Sequence, residues 1–269
     1  MFSKTVIKHL QQLQQKKFRK EFKEFVVEGV KGVLEAVKSE AEVILVVIEG
    51  NKRDNKEMKE ILRYCDEGNI PYEFCGRLDV DKIKTTDTFP GVLAIVAQPD
   101  VMIDDLLDDT PIICLDGVKD PGNLGTIIRT ADWFGVKNII LSEDAVDPYN
   151  DKVVRSTMGS IFRVNIFESE GLVRTVEMLK KQGYKIVSLE MDGTRLRPSD
   201  FGGQSKTVYV FGSESHGVRP ELEKLVDKKY TIPGRGSAES LNVAVACGIV
   251  LAGFNGCHSD PPRAGRNLS

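Results

Sequence analysis

From residue 111 onward the chain switches regularly between two spacings of apolar residues. The stretches "IICLDG", "VKNIILS", "YKIVSLE", "TVYVFG" and "KKYTIP" are short runs rich in β-branched residues, the pattern of strands. Between them, "NLGTIIRTADWFG", "GLVRTVEMLKKQG", "RPELEKLV" and "SLNVAVACGIVLAGF" space their apolar residues three and four apart, as a helix with a buried face does. The strand runs hold too few polar residues to face water on either side. Their alternation with helices predicts an α/β unit with a mostly parallel sheet and helices on both faces. Ahead of it, "EVILVVIEG" and "GVLAIVAQ" read as strands and residues 56–68 as a helix, so the N-terminal part is a smaller α/β unit.

Residues 98–110, "QPDVMIDDLLDDT", carry five aspartates and no positive charge, a composition shift expected of an exposed connection. The predicted organisation is therefore an N-terminal domain over 1–98, a linker over 99–110, a C-terminal domain over 111–256 and a disordered tail over 257–269. A length of 269 residues suits two domains of about 150 residues each. No apolar run reaches the ~18 residues of a membrane span, and "MFSKTVIKHLQQ" lacks the apolar stretch of a secretion signal. The five cysteines include no CxxC pair, and with three histidines they make no zinc pattern. A reduced, cytoplasmic protein without metal or membrane partner is the expectation.

A net charge of −3 gives no global attraction to nucleic acid, so any such contact needs a local patch. The first 24 residues supply one. Lys16, Lys17, Arg19 and Lys20 interleave with Phe18, Phe22 and Phe25, which suits pairing with RNA phosphates while rings stack on bases. The same composition also fits an amphipathic helix that turns its phenylalanines to the core.

Ligands of doubly wound folds bind beyond the carboxyl ends of the strands. Three post-strand loops stand out there: "VKDPGNLGTIIR", "SESHG" and "GRGSAESLN", each with glycine and polar groups. No GxGxxG follows the first strand and no GxxxxGK[ST] occurs, which argues against dinucleotide and P-loop sites. Taken together, Asn123, Gly125, Arg129, Thr130 and Ala131, then Gly212, Glu214 and Gly217, then Ile232, Pro233, Ser240, Leu241, Asn242 and Val243 resemble the three signature motifs of the SpoU (TrmH-type) branch of the SPOUT RNA methyltransferases. The resemblance covers residues 110–256 and extends, more weakly, to an N-terminal substrate-binding domain. Two positions depart from the pattern: Gly234, where methionine is common, and Ala244, where serine is frequent.

The resemblance implies a SPOUT domain with a deep trefoil knot, S-adenosylmethionine as cofactor, a homodimer with the site near the subunit interface, and methyl transfer to a ribose 2′-hydroxyl of structured RNA. Ribosomal RNA is favoured over transfer RNA. A protein of the same fold that binds RNA without transfer is the alternative. Cofactor binding falls to Gly212, Ile232 and Leu241, with Leu189 added from the turn after "KIVSLE". Arg129 is the principal catalytic candidate, as a phosphate fork and electrostatic support for the 2′-oxygen, with a surface ion pair as the plainer reading. Asn123, Glu214, Ser240 and Asn242 complete the catalytic set. Asn123 and Ser240 equally suit helix N-caps, whereas Asn242 has less structural reason for its place. The glycines after "IICLDG" are read as room for RNA beside Arg129, His216 as a loop residue near the cofactor, and Trp133 as a core or dimer contact.

Overall fold

In the computed structural model, residues 2–84, 89–197, 200, 205–213 and 216–256 are described. The chain opens with two short helices, α1 (Lys4–Leu13) and α2 (Lys16–Phe22). Ser3 caps α1 by accepting from the Thr5 amide. Lys23, at φ 56°, ends α2 in the left-handed region and turns the chain into β1 (Glu24–Glu28). There follow α3 (Val30–Lys38), β2 (Val43–Glu49), α4 (Lys56–Glu67), β3 (Tyr72–Cys75), α5 (Arg77–Ile83) and β4 (Val92–Ala97). The sheet has the order β1-β4-β2-β3, with β4 antiparallel to both neighbours and β3 parallel to β2. Alternation along β4 fills two cores. Val92, Ala94 and Val96 join Val33 of α3 and Ile61 of α4, while Leu93 and Ile95 join Leu10 of α1 and Val80 of α5.

The second sheet is built from β5 (Ile112–Asp116), α6 (Pro121–Trp133), β6 (Asn138–Leu141), α7 (Asp151–Thr157), β7 (Asn165–Glu168), α8 (Leu172–Lys181), β8 (Lys185–Arg195), β9 (Thr207–Gly212), α9 (Pro220–Glu223), β10 (Lys228–Thr231) and α10 (Val243–Gly256). Its order is β10-β8-β9-β5-β6-β7, and every pairing is parallel. β5 shows why its sequence run is unbroken: Ile113 and Leu115 pack with Ile127 of α6 and Val250 of α10, whereas Ile112 and Cys114 pack with Leu172 and Val176 of α8. Both faces are covered, as the predicted parallel sheet requires.

Three expectations change. "RPELEKLV" forms only the four-residue α9, and α7 and β7 lie in segments too short to show a period. Part of the acidic stretch before β5 is anchored: Ile103–Leu106 makes a 3₁₀ turn, Leu106 is buried, and its carbonyl accepts from the Tyr184 hydroxyl at 3.2 Å. The tail over 257–269, with Cys257, lies outside the described residues. The four described cysteines are buried and unpaired, and burial pushes the Cys65 and Cys75 thiols up to about 11 and that of Cys247 to about 12.

The third concerns the basic N-terminal segment. Lys16, Lys17 and Lys20 are exposed, but Arg19 is buried, with 4% of its surface accessible. Its Nε and Nη2 donate to Asp147 Oδ2 at 2.9 and 2.5 Å, and Nη1 donates to the Leu13 carbonyl at 2.8 Å. Arg19 is therefore a tie between the two halves of the chain rather than a phosphate contact, because its donors are already used away from solvent. Apolar packing reinforces the tie. Phe25 lies on β1 and meets Tyr149 at 4.9 Å and Phe162 at 6.4 Å between ring centroids. Phe18 and Phe22 stack on each other, with centroids 5.9 Å apart.

Candidate active site

The loop after β5 joins α6 through Asp120, whose side chain accepts from the Asn123 amide at 2.7 Å, with Pro121 in the first turn. Asp120 is thus the N-cap, and the Asn123 side chain is left to reach outward. Its Oδ1 accepts from Asn242 Nδ2 at 2.9 Å. Asn242 in turn caps α10, its Oδ1 accepting from the amides of Ala244 and Val245 at 2.9 and 3.3 Å. One amide side chain therefore starts the last helix and binds the first motif to the third, which gives Asn242 the structural reason that the sequence reading missed. Ser240 is not the cap. It lines the cavity described next.

A cavity of about 690 Å³ opens beside the middle of β8 and at the ends of β9 and β10, within the roughly 300–1,000 Å³ range of small-molecule sites. Leu189, Gly212, Ile232 and Leu241 all line it, joined by Phe211 and by Glu190. Gly212 has a strict geometric requirement: a Cβ there would fall 2.0 Å from the Gly217 carbonyl carbon. Ser213 and Gly217 exchange backbone hydrogen bonds at 3.1 and 3.0 Å, with Gly217 at φ 67°, so the turn folds back directly over Gly212. His216 belongs to this turn and its amide donates to Ser213 Oγ at 3.2 Å. Glu214 lies outside the described residues.

Arg129 is exposed on α6, and among the described residues its guanidinium has no hydrogen-bond or ion-pair partner. Thr126 and Trp133 share its exposed face, and Trp133 keeps 67% of its surface accessible, so it is not a core aromatic. Gly125 has a different use from the one expected. Its absent Cβ would lie 2.3 Å from Ser156 Cβ and 2.9 Å from the Val153 carbonyl, so this glycine lets α6 press against α7 and makes no room for RNA.

Sequence reasoning also missed Arg219 and Asp116. Burial alone would lower the Arg219 guanidinium, but hydrogen bonds to Asp116 and Glu143 outweigh it and hold the group above its ordinary value. The available signal was Asp116 itself, a carboxylate closing an apolar strand.

With the geometry in view, comparison with known proteins is decisive. A family profile described as the SpoU rRNA Methylase family matches residues 110–252. The chain belongs to that family. A second profile, the MRM3-like substrate binding domain, matches residues 4–93. The 23S rRNA (guanosine(2553)-2′-O)-methyltransferase RlmP of Bacillus subtilis is 32% identical over 262 residues, covering 93% of this chain and 96% of the relative. Among solved structures, the AdoMet-bound rRNA methyltransferase of Sinorhizobium meliloti matches with a TM-score of 0.82 at 28% identity over 95% of both chains. The SpoU methyltransferase AviRb of Streptomyces viridochromogenes, in complex with AdoMet, matches with a TM-score of 0.81 at 27% identity, covering 94% of this chain and 97% of that one.

Proposed function

We propose that this SpoU-family protein transfers a methyl group from S-adenosylmethionine to a ribose 2′-hydroxyl of structured RNA, with ribosomal RNA the preferred substrate. The observation that carries this reading is the convergence of the three motifs: Asn123 and Asn242 are hydrogen-bonded, and Gly212, Ile232, Ser240 and Leu241 share one cavity beside them. The cavity suits the cofactor. Phe211, Ile232 and Leu241 offer apolar walls for adenine, and Gly212, having no side chain, lets the Gly217 backbone close against the end of β9 at the edge of the cavity. Asp192 adds negative charge on the β8 side, which favours a cationic ligand, whereas the Glu190 carboxylate at the same wall is paired with Lys229 at 3.1 Å.

When bound, the cofactor supplies a sulfonium-activated methyl carbon open to in-line attack. The chain supplies everything else. Arg129, with its fork unengaged, takes an RNA phosphate and stabilises the negative charge that develops on the 2′-oxygen. Asn123, oriented by Asn242, presents its amide nitrogen to the ribose. Ser240 lies at the cavity wall to meet the same sugar, and Glu214 is assigned to the catalytic set on its motif position alone. The N-terminal unit captures RNA, with Lys16, Lys17 and Lys20 exposed on α2 to meet phosphates.

The working form is a homodimer. Val245, Ile249 and Ala252 lie at helical spacing on α10, all exposed, and Ile249 also lines the cavity. An apolar helix face of this kind calls for a partner, and a second copy seated there would stand beside the cofactor. A cytoplasmic location belongs to the same reading.

Incubation with labelled S-adenosylmethionine and total RNA from cells lacking the gene tests the assignment. Label is expected on a ribose 2′-oxygen at one or a few sites. No label from a preparation shown to bind the cofactor refutes it.

A further inference from the structure

Methyl transfer as assigned above needs two walls held in fixed relation: the Ser213–Gly217 backbone pair at the cofactor cavity, and the segment after β5 that leads to Asn123 and Arg129. A single guanidinium joins them. Asp116, the last residue of β5, is 3% exposed and stands in register opposite Gly212 of β9. Its Oδ2 accepts from the Arg219 amide at 2.8 Å, and its Oδ1 accepts from Arg219 Nε at 2.7 Å and lies 2.6 Å from Nη2. The remaining donors reach past the end of β6, Nη1 to Glu143 Oε1 at 2.6 Å and Nη2 to Asp144 Oδ1 at 3.0 Å. Ser142 Oγ completes the closure, donating to Asp144 Oδ1 at 2.7 Å and accepting from the Gly117 amide at 2.8 Å.

The ends of β5 and β6 are thus closed on one planar fork. Lysine could not reproduce the arrangement, since its ammonium is a point charge on a flexible stem. The connection to the cofactor turn is short. Arg219 follows Gly217 by two residues, and Val218 between them is buried, so a displacement of the fork is passed to the turn that folds over Gly212. Arg219 itself is not among the residues lining the cavity.

We propose that Arg219, held by Asp116, is a positioning residue for methyl transfer: it sets the cofactor turn against the segment bearing Asn123 and Arg129 without touching either substrate. The proposal rests on the functional reading above. It predicts a selective defect. Cofactor affinity depends on the fork, whereas RNA affinity, carried by other surfaces, does not.

The test uses the full chain. Because Arg219→Ala strands Asp116 in a buried site and threatens the fold, Arg219→Lys is the first variant and Ser142→Ala, which keeps every charge, the second. S-adenosylmethionine affinity is measured by calorimetry well below each melting temperature, together with KM for each substrate. Arg219→Lys is expected to weaken cofactor binding about tenfold, or ~1.4 kcal/mol, with KM for RNA unchanged. Ser142→Ala is expected to shift it in the same direction by about threefold, because Asp144 and the Gly117 amide both lose their partner while the Arg219 contacts remain. Asp116→Asn added to Arg219→Lys weakens cofactor binding no further than Arg219→Lys alone, because both act through one contact. Cofactor affinity equal to wild type in both single variants, with only the melting temperature lowered, overturns the proposal. A wild type that binds cofactor but never labels RNA instead refutes the functional reading, and the affinity series still judges Arg219.

Discussion

Replacing Arg19 by methionine separates the two meanings a basic residue can have at the N-terminus. In the structure its guanidinium is shared between Asp147, which is 6% exposed, and the Leu13 carbonyl. Methionine fills much of the same volume but leaves Asp147 buried without a cation, a change that costs about 3–5 kcal/mol in comparable sites. The Leu13 carbonyl loses its donor as well, for about 1 kcal/mol more. At roughly 2–4 °C per kcal/mol for a chain of this size, the expected fall in melting temperature is about 8–24 °C. The same change disturbs the loop in which Asp147 Oδ1 accepts from the Tyr149 amide at 2.9 Å, and with it the ring that packs on Phe25. Adding Asp147→Leu removes the stranded charge and should recover most of the loss, since a buried pair replaced by apolar groups is often neutral. Thermal melts of the two single variants and the double variant measure this, alongside RNA affinity as a function of salt. A single variant melting within about 2 °C of wild type, with an RNA salt slope reduced by about one, would show that Arg19 contacts phosphate after all and that the interdomain tie is unimportant.

Arg129→Ala, at an exposed position without a partner among the described residues, should leave stability within about 0.5 kcal/mol and cofactor affinity unchanged, while turnover falls about 10²–10³-fold; equal loss of cofactor affinity would misplace the residue. Gly212→Ala drives a methyl to 2.0 Å from the Gly217 carbonyl carbon, main chain that cannot rotate away. The strain of about 1–3 kcal/mol should appear as cofactor affinity weakened roughly tenfold or more by calorimetry, and normal affinity would contradict the geometry. Ile249→Glu should yield a monomer by light scattering, and a persistent dimer would place the subunit contact elsewhere. At low pH the carboxylates around Arg219 should report directly. Burial pulls Glu143 upward, but hydrogen bonds from its own amide and from Arg219 hold it low; Ser142 chiefly holds Asp144 low. Their stabilisation is full above the unfolded values of about 4.3 and 3.9 and is lost as pH falls through the lower folded values. Melts between neutral pH and pH ~3 should therefore fall less steeply for Glu143→Gln than for wild type, and superimposable curves would refute the assignment.

How far the chain could be read depends on how local each signal was. The runs at β5 and β9 were legible because a strand buried on both faces must be apolar at every position, and no other arrangement explains such runs between helical stretches. α9 failed because four helical residues cannot display a period. In the acidic stretch composition and burial part company: its aspartates face water, but Leu106 between them is in the core. Arg19 shows the same limit. Four neighbouring cations look alike in sequence, and only the fold reveals that one of them points inward to Asp147, 128 residues away.

The sequence alone determined the alternation of elements, the three motifs in order and hence the chemistry to look for, since these depend on spacing within short segments. The tertiary structure decided which groups act as neighbours. It paired Asn123 with Asn242, made Asp120 and Asn242 the caps, spent Gly125 on helix packing and closed Arg219 on the ends of β5 and β6. The physical reason is that a hydrogen bond or an ion pair needs its partner within about 3 Å, and residues more than a hundred positions apart reach that distance only after the sheet has formed.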